Sequence, residues 1–203
     1  MHMSWIKILN YEESTGSLRK LYDRVKGADN YIDNILLVHG LRPPTLKGHL
    51  ALYKNVLHHR DNTIQKWMLE ALGVYVSHLN DCAYCVFHHF QGLKNLVADA
   101  DKSKHIGMAL LSSKPEDFFD GKELAMLKYA EKLTLNPGSM EESDVESLRD
   151  YGLDDGQILE INQVISYFAY ANRTVIGLGV STEGDILGLS PSDDDSEENW
   201  AHV

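Results

Sequence analysis

Apolar residues recur every three or four positions along most of the chain, a spacing that predicts helices. In STGSLRKLYDRVK, Leu18, Leu21, Tyr22 and Val25 share one face behind possible caps at Ser14 or Thr15. YIDNILLVHG is a short apolar segment closed by Gly40. RPPTLKGHLALYKNVLHH opens on Pro43 and Pro44, residues suited to a first helical turn, and carries Leu46, Leu50, Tyr53 and Leu57 along one side. TIQKWMLEALGVYVSHL is apolar almost all round, as a helix in the middle of a fold must be, with Asp61 or Asn62 as its expected cap. Its valines and Tyr75 also suit a strand, but its length favours helix.

Asn80 and Asp81 interrupt that pattern and supply a fresh cap for a helix reaching about Ala100. KSKHIGMALLS, KELAMLKYAEKL, MEESDVESLRDYG and DDGQILEINQVISYFAYANRTVIGLGV read as four further helices, with KPEDFFDG as a linker. No run of paired strands is visible, so the fold class is all-α. The pattern predicts a single helical domain over residues 1–190, its first half ending near 113 and its second spanning 121–180. Residues 191–203 form an acidic tail in which Trp200 is placed to pin the segment to a neighbouring surface. The two halves echo each other weakly. Leu69-Glu70 aligns with Leu159-Glu160, and the same offset sets Cys82 on Asn172 and Cys85 on Val175, as in a degenerate duplication.

The 203 residues carry 30 Asp and Glu against 19 Lys and Arg, a net charge of -11. That balance argues against binding nucleic acid or anionic membrane surfaces. No basic and then apolar leader is visible at the start, and no apolar run approaches a membrane span, so a cytoplasmic location is expected.

Both cysteines of the chain fall in NDCAYCVFHH. In a reducing compartment such a pair is a metal site, a redox pair or core packing. A closed zinc site needs four ligands, and no second pair at ligand spacing accompanies this one. Cys82, Cys85 and His89 share one helical face, whereas His88 points elsewhere. The helix start favours a thiolate, and His89 is positioned as proton carrier or charge partner. Glu70 is the one acid in the middle of the apolar helix. Burial would raise its pKa and suit it to acid–base work; the plainer reading pairs it with Lys54 or Lys66.

Glu70, eleven intervening residues, then CAYCVFH ending on His89 resembles the motif of the alkylhydroperoxidase-D-like group of the carboxymuconolactone decarboxylase superfamily. The likeness to its peroxidase-related branch extends over the N-terminal half and over ELAMLKYAEKLTLNPG and YFAYANR. It implies an alkylhydroperoxidase-D-like helical fold and a thiol-dependent peroxidase acting on organic hydroperoxides. Cys85 would attack, Cys82 would resolve the sulfenic acid to a disulfide, and Glu70 and His89 would relay protons. The resemblance further implies no cofactor beyond the redox-active pair and an external dithiol reductant, thioredoxin-like or lipoyl, entering at Cys82 as the more accessible sulfur. It also implies a homo-oligomer, trimeric or hexameric. The family prototype carries a second histidine between the cysteines; here Tyr84 stands there, a poor relay at neutral pH. Tyr84, Asn172 and Arg173 are candidate accessory residues. A redox sensor or thiol oxidoreductase without peroxide turnover, and a decarboxylase or lactone-handling enzyme, are the competing readings; the dithiol argues against the last.

Overall fold

The computed structural model describes residues 3–191, and among these it is helical, as the periodicity predicts. The helices are α1 (Gly16–Val25), α2 (Asn34–Val38), α3 (Pro43–Tyr53), α4 (Lys66–Leu79), α5 (Ala83–Val97), α6 (Ala100–Leu111), α7 (Gly121–Leu135), α8 (Glu142–Asp150) and α9 (Asp155–Gly177). The acidic tail from residue 192, with Trp200, lies outside the described residues.

The all-round apolar sequence of α4 makes it the hub. It packs against α5, α6, α7 and α9, and Leu69, Ala71, Leu72, Val74, Tyr75 and Val76 are wholly buried. Burial of each large aliphatic side chain contributes about 1.5–3 kcal/mol. Residues of α4 to α9 build the main core. A second cluster joins Leu18, Leu21, Tyr22 and Val25 of α1 to Leu36, Leu46 and Leu50. A third, small one surrounds the two cysteines with Val38, Val175 and Val180. A Cβ at Gly73 would overlap the Phe168 ring, so this glycine is what lets α9 lie so close to α4.

Three boundaries differ from the sequence expectation. Neither Asp61 nor Asn62 caps α4; the cap position is Gln65. The free N–H groups ahead of this helix are met from across the fold. The Glu160 carboxylate of α9 accepts from Thr63 N and Ile64 N, both at 2.9 Å, and from the Thr63 hydroxyl at 3.0 Å. A charge-assisted bond at the positive helix end is stronger than a local neutral cap, so Glu160, the echo of Glu70, does architectural work. Second, α5 takes Cys82 itself as its cap residue, because Asp81 adopts a left-handed backbone (φ 56°) that turns the chain sharply after α4. Third, α5 stops at Val97. Ala98 is left-handed and Asp99 starts α6 by accepting from Lys102 N at 2.9 Å.

After α9 the chain returns along the N-terminal segment. Trp5 N donates to Leu178 O and Ser181 N to Met3 O. It continues over the opening between α2 and α5, where Asp185 accepts from Asn34 N, Tyr31 Oη and Tyr84 Oη and pairs with His88.

Candidate functional site

α5 delivers the chemistry. With Cys82 at its cap and Cys85 three residues on, the two sulfurs stand 3.0 Å apart and both are free thiols. Both are buried, 1% and 2% exposed, so Cys82 is not the more accessible of the two. They open instead in different directions. Cys85 lines a partly open cavity of about 240 Å³ between α2, α3, α4, α5 and α9, bordered on one side by Gly188, Leu189 and Ser190. Cys82 lines an open hollow with His78, Asp81, Ala83, Val86 and Phe87, none of which borders the cavity.

The pair divides its acidity unevenly. The Cys82 thiol is held below its usual value, first by its hydrogen bond with Cys85, against the cost of burial, and further by the Cys85 backbone N–H and the Asn172 amide. Cys85 is pushed well above the usual thiol value by sharing that bond and by burial. A base is therefore needed before Cys85 can act as an anion.

A candidate for that base lies one turn on. His89 Nδ1 is 2.8 Å from Glu70 Oε2, across the α4–α5 contact, in a pair that is 14% and 5% exposed. A carboxylate only accepts, so beside ionised Glu70 the proton sits on Nδ1, which leaves Nε2 as the acceptor. Nε2 has no hydrogen-bond partner among the described residues, and both side chains line the cavity with Cys85. The edge of Phe168, 4.6 Å away centroid to centroid, holds the imidazole in place. Carboxylate, imidazole and thiol thus follow the logic of a base oriented by a third group.

The remaining sequence candidates separate. Asn172, wholly buried, is brought to the thiols; it donates to Ser77 Oγ and accepts from Asn80 Nδ2, both at 3.0 Å. Arg173 is turned away from the site. It is exposed, and its guanidinium donates to Ala169 O at 2.7 Å on its own helix. Tyr84 lines the cavity, but its hydroxyl is committed to Asp185 Oδ2 at 2.7 Å and to the N–H of Ile35. His88 does not point elsewhere as expected from the helical wheel. It stacks on Tyr84 at 4.5 Å, sits 3.2 Å from Asp185 and borders the same cavity, because the returning C-terminal segment covers its face of α5.

Sequence reasoning missed the opposite wall. Tyr53 of α3 and Tyr167 of α9 stack at 5.5 Å, with His49 against both, and all three border the cavity. Burial holds both tyrosines well above the ordinary phenol value, with further contributions from Glu70 and Cys85. The only signal in the sequence was an aromatic position within an otherwise aliphatic face, which a core residue gives equally well. Among the described residues, no three His, Cys, Asp or Glu side chains cluster so as to hold a metal.

No protein-family model and no curated protein sequence matches the chain. Solved structures do. The chain superposes on an uncharacterized peroxidase-related protein from Ralstonia eutropha, described as an alkylhydroperoxidase AhpD core. Here the TM-score is 0.77 at 20% identity, over 89% of this chain and 93% of that one. An uncharacterized peroxidase-related protein from Silicibacter gives 0.71 at 23% identity, over 89% and 90%. The debrominase Bmp8 in complex with 2,3,4-tribromopyrrole gives 0.63 at 19% identity, over 83% and 84%. The chain therefore has the alkylhydroperoxidase-D-like helical fold.

Proposed function

We propose that the protein is a thiol-dependent peroxidase that reduces organic hydroperoxides through the Cys82–Cys85 pair. The observation that carries the reading is one cavity bordered at once by Cys85 and by the Glu70–His89 pair, with a second thiol 3.0 Å behind the first. His89 takes the Cys85 proton, through water, and Glu70 stabilises the imidazolium. The Cys85 thiolate attacks the distal peroxide oxygen. The S–O bond forms as the O–O bond breaks, the sulfur is oxidised by two electrons to a sulfenic acid, and the departing alkoxide is protonated to an alcohol. Cys82, held in its more acidic state, displaces water from that sulfenic acid and closes the disulfide; covalent S–S distance is about 2.05 Å, so little movement is required. An external dithiol, thioredoxin-like or lipoyl, resets the pair by exchange at Cys82 through the outer hollow.

No metal or organic cofactor takes part in this cycle. A reducing compartment such as the cytoplasm would supply the dithiol that this cycle consumes. Separately, no helix among the described residues is long and apolar enough to cross a membrane. On this reading the protein assembles as a homo-oligomer, a trimer or hexamer, as the family resemblance implies.

The test is turnover. Reduced protein should consume cumene hydroperoxide with a dithiol reductant, and failure to do so while cycling between dithiol and disulfide would leave a thiol oxidoreductase. The Cys82→Ser variant should complete a single turnover and stop. Mass spectrometry should then find Cys85 carrying one added oxygen, trappable by dimedone; steady multiple turnover in that variant would remove Cys82 from the resolving step. Elemental analysis of protein purified under reducing conditions should give well under one zinc per chain. A full equivalent, lost together with the two cysteines, would favour a structural zinc site.

A further inference from the structure

The step that breaks the O–O bond leaves a negative charge on the departing oxygen, and something must meet it. Tyr84 stands between the two cysteines. Tyr84 does not fill that role, since its hydroxyl is spent on Asp185. His88, on the same wall, is spent on Asp185 as well. His89 Nε2 is the acceptor of the first proton transfer and becomes a donor only afterwards.

Tyr167 stands on the opposite wall, across the cavity from α5. Tyr167 is 3% exposed, borders the cavity with Cys85, and its hydroxyl has no hydrogen-bond partner among the described residues. Three tyrosines elsewhere in the fold are committed to other groups. Tyr22 donates to Leu9 O at 3.0 Å, Tyr129 accepts from Asn162 at 2.9 Å, and Tyr170 lies 3.2 Å from His39 Nε2. The ring of Tyr167 is fixed by the stack on Tyr53 and by the edge of Phe168 at 5.3 Å, so the hydroxyl is held in one place before any ligand arrives. Burial and the neighbouring Cys85 and Glu70 keep it a neutral phenol, which can donate.

Accepting the peroxidase reading, we propose that Tyr167 is a catalytic hydrogen-bond donor that holds the oxygen on the alkyl side of the hydroperoxide and stabilises the alkoxide as the O–O bond breaks. Tyr167 keeps its own proton. The proton that completes the alcohol comes from the imidazolium of His89, which took it from Cys85, so the charge on the site is restored at the sulfenic acid stage. Tyr53 extends the same aromatic wall, which suits the flat carbon skeleton of an aryl hydroperoxide.

The test compares two oxidants on Tyr167→Phe, which keeps the ring stack and removes one oxygen. An alcohol is a poor leaving group and depends on the donor, whereas the carboxylate expelled from a peroxy acid does not. With cumene hydroperoxide the second-order rate of Cys85 oxidation should fall about 100-fold, the effect of losing one oxyanion donor. With peracetic acid it should stay near wild type, and alkylation of Cys85 by iodoacetamide should be unchanged. A wild-type rate with cumene hydroperoxide overturns the inference. So does an equal loss with both oxidants, or a parallel loss of alkylation, since each would place the effect on the thiolate or the fold. If wild-type Cys85 reacts with both oxidants no faster than free cysteine, the peroxidase reading itself falls, and this inference with it.

Discussion

Replacing Cys85 with serine should abolish peroxide consumption, the largest effect expected of any substitution in this chain. Of the two sulfurs, only that of Cys85 borders the cavity that holds the Glu70–His89 pair. A serine hydroxyl there is far less acidic than a thiol and cannot be oxidised by a peroxide, so the remaining base has nothing to activate. The measurement is the disappearance of hydroperoxide under an excess of dithiol, against a Cys82→Ser control that still turns over once. Retention of full consumption by Cys85→Ser would assign the attack to the other sulfur. The raised acidity threshold of Cys85 adds a second expectation. Its alkylation rate should climb as the pH increases through the alkaline range, because the anion becomes populated only there unless the base assists.

Glu70→Gln should lower the peroxide rate by about two orders of magnitude or more, the usual range for loss of a general acid–base partner. Glutamine preserves the shape and can still hydrogen-bond His89 Nδ1, so the imidazole keeps its place between Glu70 and Phe168. What is lost is the negative charge that stabilises imidazolium after the proton leaves Cys85. The alkylation profile of Cys85 should move to higher pH in the same variant, since its base has been weakened. A variant with wild-type rate and wild-type alkylation profile would reduce Glu70 to a structural residue and confine the chemistry to the two thiols and His89. Far-UV circular dichroism should be unchanged, because the carboxyl is one side chain on a helix whose burial rests on Leu69, Leu72, Val74 and Tyr75.

The helices were legible because their apolar positions repeat with the helical period, and α4 in particular because it is apolar on all sides. Glu70, Cys82, Cys85 and His89 were legible because spacing along helices fixes which side chains share a face, and because the motif links the two helices that pack together. Three things were not legible, and all depend on contacts remote in sequence. The start of α4 is set by Glu160, some ninety-six residues from Ile64, and no local signal could outrank the visible Asp61 and Asn62. The role of Tyr84 and the direction of His88 are decided by Asp185, in a segment that a helical wheel drawn on α5 cannot contain. Tyr53 and Tyr167 are aromatic residues on buried faces, and only the cavity distinguishes them from core.

The two sulfurs touch each other while opening onto spaces that share no wall residue. A small oxidant and a bulky protein reductant would therefore use separate doorways. A flood of peroxide would saturate the inner chamber without competing for the docking point, and a reductant could wait at the outer hollow while the inner chamber empties. Catalysis built this way keeps two traffic streams apart and joins them through a single pair of adjacent atoms.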